Sequence, residues 1–389
     1  MSPDGITVLY AAIGAALVPH AVDAGGLTLS PRPGVTLPAA VQYAWFHPRL
    51  PLIYAAYSNR ATPGGNDRHG VAALRIDAAT GALSPFGPPV AMSNRPIHVT
   101  ADDEGRWLLL TCNQPAELNL HPLGSDGAIG AVVPQQGPLR LGAYPHQARF
   151  LPGGGRVVVP ARGNDPGPTT AGEPGEIGLY DLKDGQLRRA GAITEGNGLG
   201  FGPRHVDLRA GLPWLYAALE RGNRLLTYRA GAGGLVSAFS AETLPGGSTR
   251  GAPEQYAGAV QLHPCGSHVY VANRSDGTVP FGGTAVHGAG ENSIAVFAID
   301  RATGEPRLSQ RADTRGIHCR SFAIDPDGLM LVAGSVAPMA VRRGEAVEVL
   351  AAGLSVFAIG EDGSLSFARK YDIPAERGPV FWCGMRRLG

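Results

Sequence analysis

Apolar and polar residues alternate in short runs along most of this chain, and each run ends at a turn. Runs such as "AALRID", "SIAVFAID" and "GLSVFAIG" lead into a turn, and runs such as "ALSPF", "LTLSP" and "SLSFARK" follow one. Seven such turns recur, at Asp23–Gly26, Asp77–Gly81, Ser125–Gly127, Asp184–Gly185, Gly231–Gly234, Arg301–Gly304 and Glu361–Gly363. Alternation at period two around an Asp/Gly turn predicts a β-hairpin. One hairpin every 50–60 residues or so predicts a repeat, and that length fits a four-stranded propeller blade.

A second signal precedes each hairpin: apolar strand, Pro/Gly turn, apolar strand. It is clearest in "HQARFLPGGGRVVVPA", "AGAVQLHPCGSHVYVAN" and "RSFAIDPDGLMLVAG". These are strands A and B of each blade, and the hairpins are C and D. Aligned copies place the start of strand A near Gln42, Ile97, His146, Arg204, Gly258 and Arg320, which makes six blades. The C-terminal "VFWCGMRR" reads as a seventh strand A. The N-terminal "ITVLYAAIG", "LVPHAVD" and "LTLSP" read as its B, C and D. The expectation is one all-β domain over 1–389, a seven-bladed propeller of four-stranded antiparallel blades around one continuous core. It is closed by joining 1–32 to 378–389, which removes free sheet edges.

Composition adjusts this picture little. The 56 Gly and 33 Pro supply the turns that so many short strands need. A net charge of +1 gives no basic stripe for nucleic acid. The stretch "VLYAAIGAALV" lacks a basic flank and is too short to cross a bilayer, so it is read as strand, with a cytoplasmic location expected. Cys112, Cys265, Cys319 and Cys383 have no metal-ligand or redox spacing and read as buried or half-buried thiols. A closed ring is compatible with a monomer or a weak homo-oligomer.

Long Gly/Pro/Asn-rich stretches fall at 60–69, 163–175, 275–292 and 336–350, each between strands B and C. One face of the ring therefore carries long loops and the other tight turns, and sites are built where loops vary on a rigid frame. Strand A starts and strand B ends at the long-loop face. Polar residues gather at those ends: His98, His146, Arg204, His205 and Arg320 on A; Asn59, Arg60, Asn113, Glu220, Arg221, Asn273 and Arg274 on B. His318 precedes Arg320 and is a further candidate to face the channel. His205 adjoins Arg204 and, by alternation, should face the other side of its strand. His47, His263 and His268 lie at the turn face. Several Arg, a few His and one Glu suit an anionic small molecule, with Glu220 as an acid or base among cations. The competing explanation is structural: polar channel residues binding water, and Arg–Glu pairs stitching blades together.

With these residues in view, the chain resembles the seven-bladed propeller lactonases, which include propeller-type 6-phosphogluconolactonases and the fungal 3-carboxy-cis,cis-muconate lactonising enzyme. The resemblance covers about residues 40–370 and rests on "GAYPHQARFLPGGG", "GFGPRHVDL" with "LYAALERGNRLLTY", "GAVQLHPCGSHVYVANRSDG" and "GIHCRSFAIDPDGLMLVA". It implies His146, Arg204, Glu220 and Arg274 as the catalytic set. Arg320, Asn273, His98, Asn113 and His318 are then candidate substrate contacts. Two departures stand out: "ARGNDPG" puts Arg162 where the family usually has Asp, keeping Asp165, and the 275–292 segment is long. The resemblance implies a cofactor-free, metal-independent lactonase acting on a lactone of an anionic sugar acid or dicarboxylate. Alternatives are a cycloisomerase forming a carboxymuconolactone-type ring, a metal-dependent propeller lactonase using Asn59, Asn113, Asn273 and Glu220, and a non-catalytic binding propeller.

Overall fold

A computed structural model describes residues 5–59, 67–231, 234–244 and 255–389. Arg60, the start of the 60–69 stretch and the middle of the 231–234 turn lie outside the described residues. Six blades follow in chain order. Their A and B strands are Val41–Phe46 and Leu52–Ser58, Pro96–Ala101 and Trp107–Asn113, Arg149–Phe150 and Arg156–Ala161, Pro203–Leu208 and Trp214–Leu219, Tyr256–Leu262 and His268–Arg274, and Cys319–Ile324 and Met330–Ser335. The seventh blade is composite. Val380–Leu388 pairs antiparallel with Ile6–Ile13, which continues into Ala16–Asp23 and Thr28–Pro31.

Blade 2 departs from the four-stranded expectation. It has three strands, ending at Ala116–Pro122. The segment beyond them returns only two backbone bonds to the third strand, Gly130 N to Pro122 O and Val133 N to Leu120 O. Pro134 and Pro138 carry no N–H to extend that ladder.

The expected single continuous core resolves instead into seven apolar seams among the described residues, one between each pair of neighbouring blades. The inner strands are buried on both faces, which is why "ITVLYAAI" and "WLYAAL" are nearly continuous apolar runs. Of the cysteines, Cys112, Cys319 and Cys383 are buried, but Cys265 is exposed at the A–B turn of blade 5.

The turn face is stitched by a repeated latch. A strand B tyrosine hydroxyl donates to a glycine carbonyl in the C–D turn of the next blade. The pairs are Tyr10–Gly81, Tyr54–Gly127, Tyr216–Gly304 and Tyr270–Gly363, at 3.0, 2.8, 3.0 and 2.9 Å. These glycines have φ of 73°, 83°, 78° and 76°. A Cβ on Gly304 would run into Trp214, and one on Gly363 into His268. Glycine is thus required by both conformation and space.

The loop face is shaped by a different repeat. In six blades the pairing of strand A with strand B shifts by one residue at the loop end. The skipped residues are Gln42, Ile97, Arg204, the Gly258–Ala259 pair, Arg320 and Phe381. In blade 3 the bridge Pro145–Ala161 and the pair Arg149–Val158 are offset by the same single residue, across His146. Each is a β-bulge, an extra residue that bends the strand and re-aims its neighbours.

Candidate active site

The bulges overturn the alternation expected at Arg204 and His205. An extra residue in the ladder turns both side chains toward the axis, with Arg204 Nη1 3.5 Å from His205 Nδ1. The His205 ring lies 5.2 Å from that of His146, 6.2 Å from His98 and 6.1 Å from Tyr43. Tyr43 stacks on His98 at 4.2 Å and lies 6.1 Å from Trp382. Tyr43 and His205 come from blades on opposite sides of the ring. The rings of Tyr43, His98, His146 and His205 therefore close the channel as a floor. Below it, toward the turn face, a cavity of about 170 Å³ is lined by Trp45, Arg149, Asp207 and Gln261.

Above the floor sits a cluster of guanidiniums around one carboxylate. Glu220, at the end of strand B of blade 4, is 5% exposed. Its Oε1 takes Arg204 Nε at 3.2 Å and Arg274 Nη2, and its Oε2 takes Arg162 Nη1 at 3.2 Å. Arg162 also lies over the Tyr144 ring at 4.0 Å and donates to Asn164 Oδ1. Arg204 and Arg274 are 1% and 6% exposed. Arg320 enters from the blade 6 bulge, 4.5 Å over the ring of Phe381, the bulge residue of the next blade. At the rim Arg221 pairs with Asp165, so those two charges offset each other.

The charges fix the protonation states. Burial alone would raise the Glu220 carboxyl, but Arg274, Arg204 and Arg162 outweigh it and bring it to about 2. Glu220 is thus a carboxylate with both oxygens occupied by cations, a poor proton acceptor. His146 is held well below the ordinary histidine range by burial, then by Arg204, His205, Arg320 and Arg274. Burial and the same cationic neighbourhood do this to His205, and burial with Arg149 and Arg204 to His98. The histidines are therefore neutral, and His146 keeps a buried Nδ1 with no hydrogen-bond partner in the protein. Arg204 is pressed below its ordinary range by burial and Arg274. Three guanidiniums, Arg162, Arg204 and Arg274, converge on the single carboxylate of Glu220, a local cationic excess that an anion would relieve.

Of the residues singled out from the sequence, the structure brings together His146, Arg204, Glu220, Arg274, Arg320 and His318, whose Nε2 lies 2.9 Å from Arg274 Nη1. It does not bring Asn273 there. Asn273 alternates with Arg274, is fully buried, and spends its amide on Thr243 O and Ser293 Oγ. Asn113 is buried at the end of its strand in blade 2, and no described contact joins it to the cluster. Asn59 caps its own loop by accepting from Arg68 N. His98 belongs to the floor rather than to the guanidinium cluster. Sequence reasoning missed Tyr43 and Asp276, and noted Arg162 only as a departure. Arg162 follows strand B of blade 3, the same register that singled out Glu220, so that signal was present.

Among the described residues no three His, Cys, Asp or Glu side chains group as a metal site, and no helix is long and apolar enough to cross a membrane.

The fold is a ring of seven blades with a polar funnel at one end, and comparison with known proteins gives the class. The family model described as "Lactonase, 7-bladed beta-propeller" matches residues 15–338. The chain thus belongs to the seven-bladed β-propeller lactonase family, and its enzyme class is lactonase. A 6-phosphogluconolactonase of Bacillus subtilis is 28% identical over 275 residues, 68% of this chain and 70% of the relative. One from Formosa agariphila is 24% identical over 279 residues, again 68% and 70%. The solved structure of a periplasmic gluconolactonase from Pseudomonas aeruginosa superposes with a TM-score of 0.75 at 19% identity, covering 99% of each chain. That likeness shows the shared fold.

Proposed function

We propose that the protein hydrolyses the lactone of an anionic sugar acid without a metal. The observation that carries this reading is the cluster of half-buried Arg162 and buried Arg204 and Arg274 around Glu220, beside a neutral histidine. A phosphate or carboxylate would offset the cationic excess, and planar guanidiniums suit both. The names of the relatives, 6-phosphogluconolactonases, support a phosphorylated sugar lactone.

In this reading His146 is the general base. It takes a proton from water as the water attacks the lactone carbonyl. Arg204 and Arg274 stabilise the developing oxyanion, which is worth more in a buried site than in water. His146 then returns the proton to the ring oxygen as the C–O bond breaks, leaving the open acid. The arginines that depress His146 are the groups an anionic substrate would neutralise. Substrate binding would therefore raise the basicity of His146 when it is needed. Glu220 organises the arginines instead of moving protons.

The test is a lactone panel, 6-phosphogluconolactone and gluconolactone, with carboxymuconate as the cycloisomerase control. Spontaneous hydrolysis is subtracted and each assay is repeated with EDTA. Turnover of the phosphorylated lactone, unaffected by chelator and lost in His146→Ala, is expected. Loss with EDTA would overturn the metal-free route. Turnover of carboxymuconate alone would favour the cycloisomerase.

A further inference from the structure

We propose that Asp276 and His318 form a positioning pair that sets the aim of Arg274, and through it the affinity for the substrate's anionic group. The pair lies outside the four residues carried over from the family. Asp276 comes from the start of the long 275–292 segment, which folds into a hairpin, Thr278–Phe281 with Thr284–His287. His318 comes from the neighbouring blade, just before strand A.

Three observations converge. First, Arg274 can only donate, so His318 Nε2, 2.9 Å from its Nη1, must be the acceptor. The ring proton then sits on Nδ1, which stands 2.8 Å from Asp276 Oδ2, a close contact short of full hydrogen-bond alignment. A carboxylate that fixes a histidine tautomer is a known device for orienting the far nitrogen. Second, the arrangement is built, not incidental. His318 holds φ of 58°, a left-handed conformation costly for a residue with a side chain. Its N–H is held by Asn292 Oδ1 at 2.7 Å, and the same oxygen takes Ser275 N at 3.2 Å. Asn292 thus ties the root of the hairpin to the His318 backbone and delivers Asp276 to the imidazole. Third, burial pulls His318 below the ordinary range more than Asp276 raises it, so Nε2 keeps its lone pair.

Arg274 is consequently held at both terminal nitrogens, by Glu220 at Nη2 and by His318 at Nη1. A fork held at two points keeps its remaining donors aimed, which lowers the ordering cost of binding an anion. Because Arg274 occupies the Nε2 lone pair, His318 acts through Arg274 and not as a base.

The inference rests on the lactonase reading only for the molecule that carries the anion. The experiment compares His318→Leu, His318→Gln and Asp276→Ala in steady-state hydrolysis, with calorimetric titration of sulfate as a turnover-independent probe. Gln offers an oxygen to Arg274 and an N–H to Asp276, so it should keep KM and sulfate Kd within about twofold of wild type. Leu should raise both about tenfold while kcat changes less, and Asp276→Ala should fall between. If Leu leaves sulfate affinity unchanged, the pair does not position Arg274. If Gln loses as much kcat as Leu, His318 transfers protons and the proposal is overturned. Should His318→Leu fail to fold, Asp276→Ala and His318→Gln decide the matter, since the Asp276 side chain is 45% exposed. If the wild type hydrolyses no lactone, the lactonase reading fails while the sulfate titrations still test the pair.

Discussion

The two faces of this propeller solve opposite problems with the same strands. At the turn face most of the described strong polar groups are spent at home, with the buried Trp214 Nε1 an exception. Tyrosine hydroxyls end on glycine carbonyls, His263 Nε2 meets Gly328 O, and Asp102 and Asp325 accept from the backbone of their own turns. At the loop face polar capacity is left over. The Nε of Arg274 and the Nδ1 of His146 are buried without a hydrogen-bond partner in the protein, and the Nε of Arg204 faces only the Glu220 carboxylate at 3.2 Å. A satisfied face stabilises and an unsatisfied one waits for a ligand, and that contrast can be broken deliberately.

The largest effect belongs to the loop face. His146→Asn should lower kcat by about 10²- to 10⁴-fold in lactone assays, with little change in melting temperature. Next is Glu220→Gln, which leaves the arginines facing one another. It should destabilise by about 3–5 kcal/mol in denaturant unfolding, and millimolar sulfate should recover part of that loss. Lack of recovery would count against an anion site.

Acid should bear hardest on the floor of the funnel, where the histidines are shifted furthest. His98, His146 and His205 are buried neutral, with folded-state values below ordinary. The unfolded chain therefore takes up protons first as pH falls. Stability should be intact above about pH 6.5 and decline below it, at up to about 1.4 kcal/mol per pH unit for each histidine. Thermal melts from pH 7.5 to 5 check this, and His98→Phe should flatten the slope.

The turn face gives the smaller effects, with no activity change per folded molecule. Gly304→Ala meets both Trp214 and a positive φ, and should cost about 2–3 kcal/mol by urea titration. Tyr216→Phe removes one latch bond and should cost about 1 kcal/mol.

What was legible in the sequence follows the same division. Hairpins, strand order and ring closure are written in local alternation and turn chemistry, so the turn face could be read directly. The register also gathered His146, Arg204, Glu220, Arg274 and Arg320 at one end. It failed where one residue breaks the period. A bulge leaves no mark in an apolar/polar pattern, so His205 was sent to the wrong side. It failed again at Asn273, because strand alternation, not proximity to Arg274, decides where that amide goes. Asp276 was invisible because a hairpin in an insertion has no register to align.

The repeated bulge has a consequence for how such a site can change. It creates seven equivalent sockets at the mouth of one funnel, filled here by Gln42, Ile97, His146, Arg204, Gly258–Ala259, Arg320 and Phe381. Because a bulged residue lies outside the paired ladder, exchanging its side chain removes no ladder hydrogen bond from the blade beneath. The propeller is in this sense a seven-position dial, and chemistry is set by which sockets hold a cation, an imidazole or a ring.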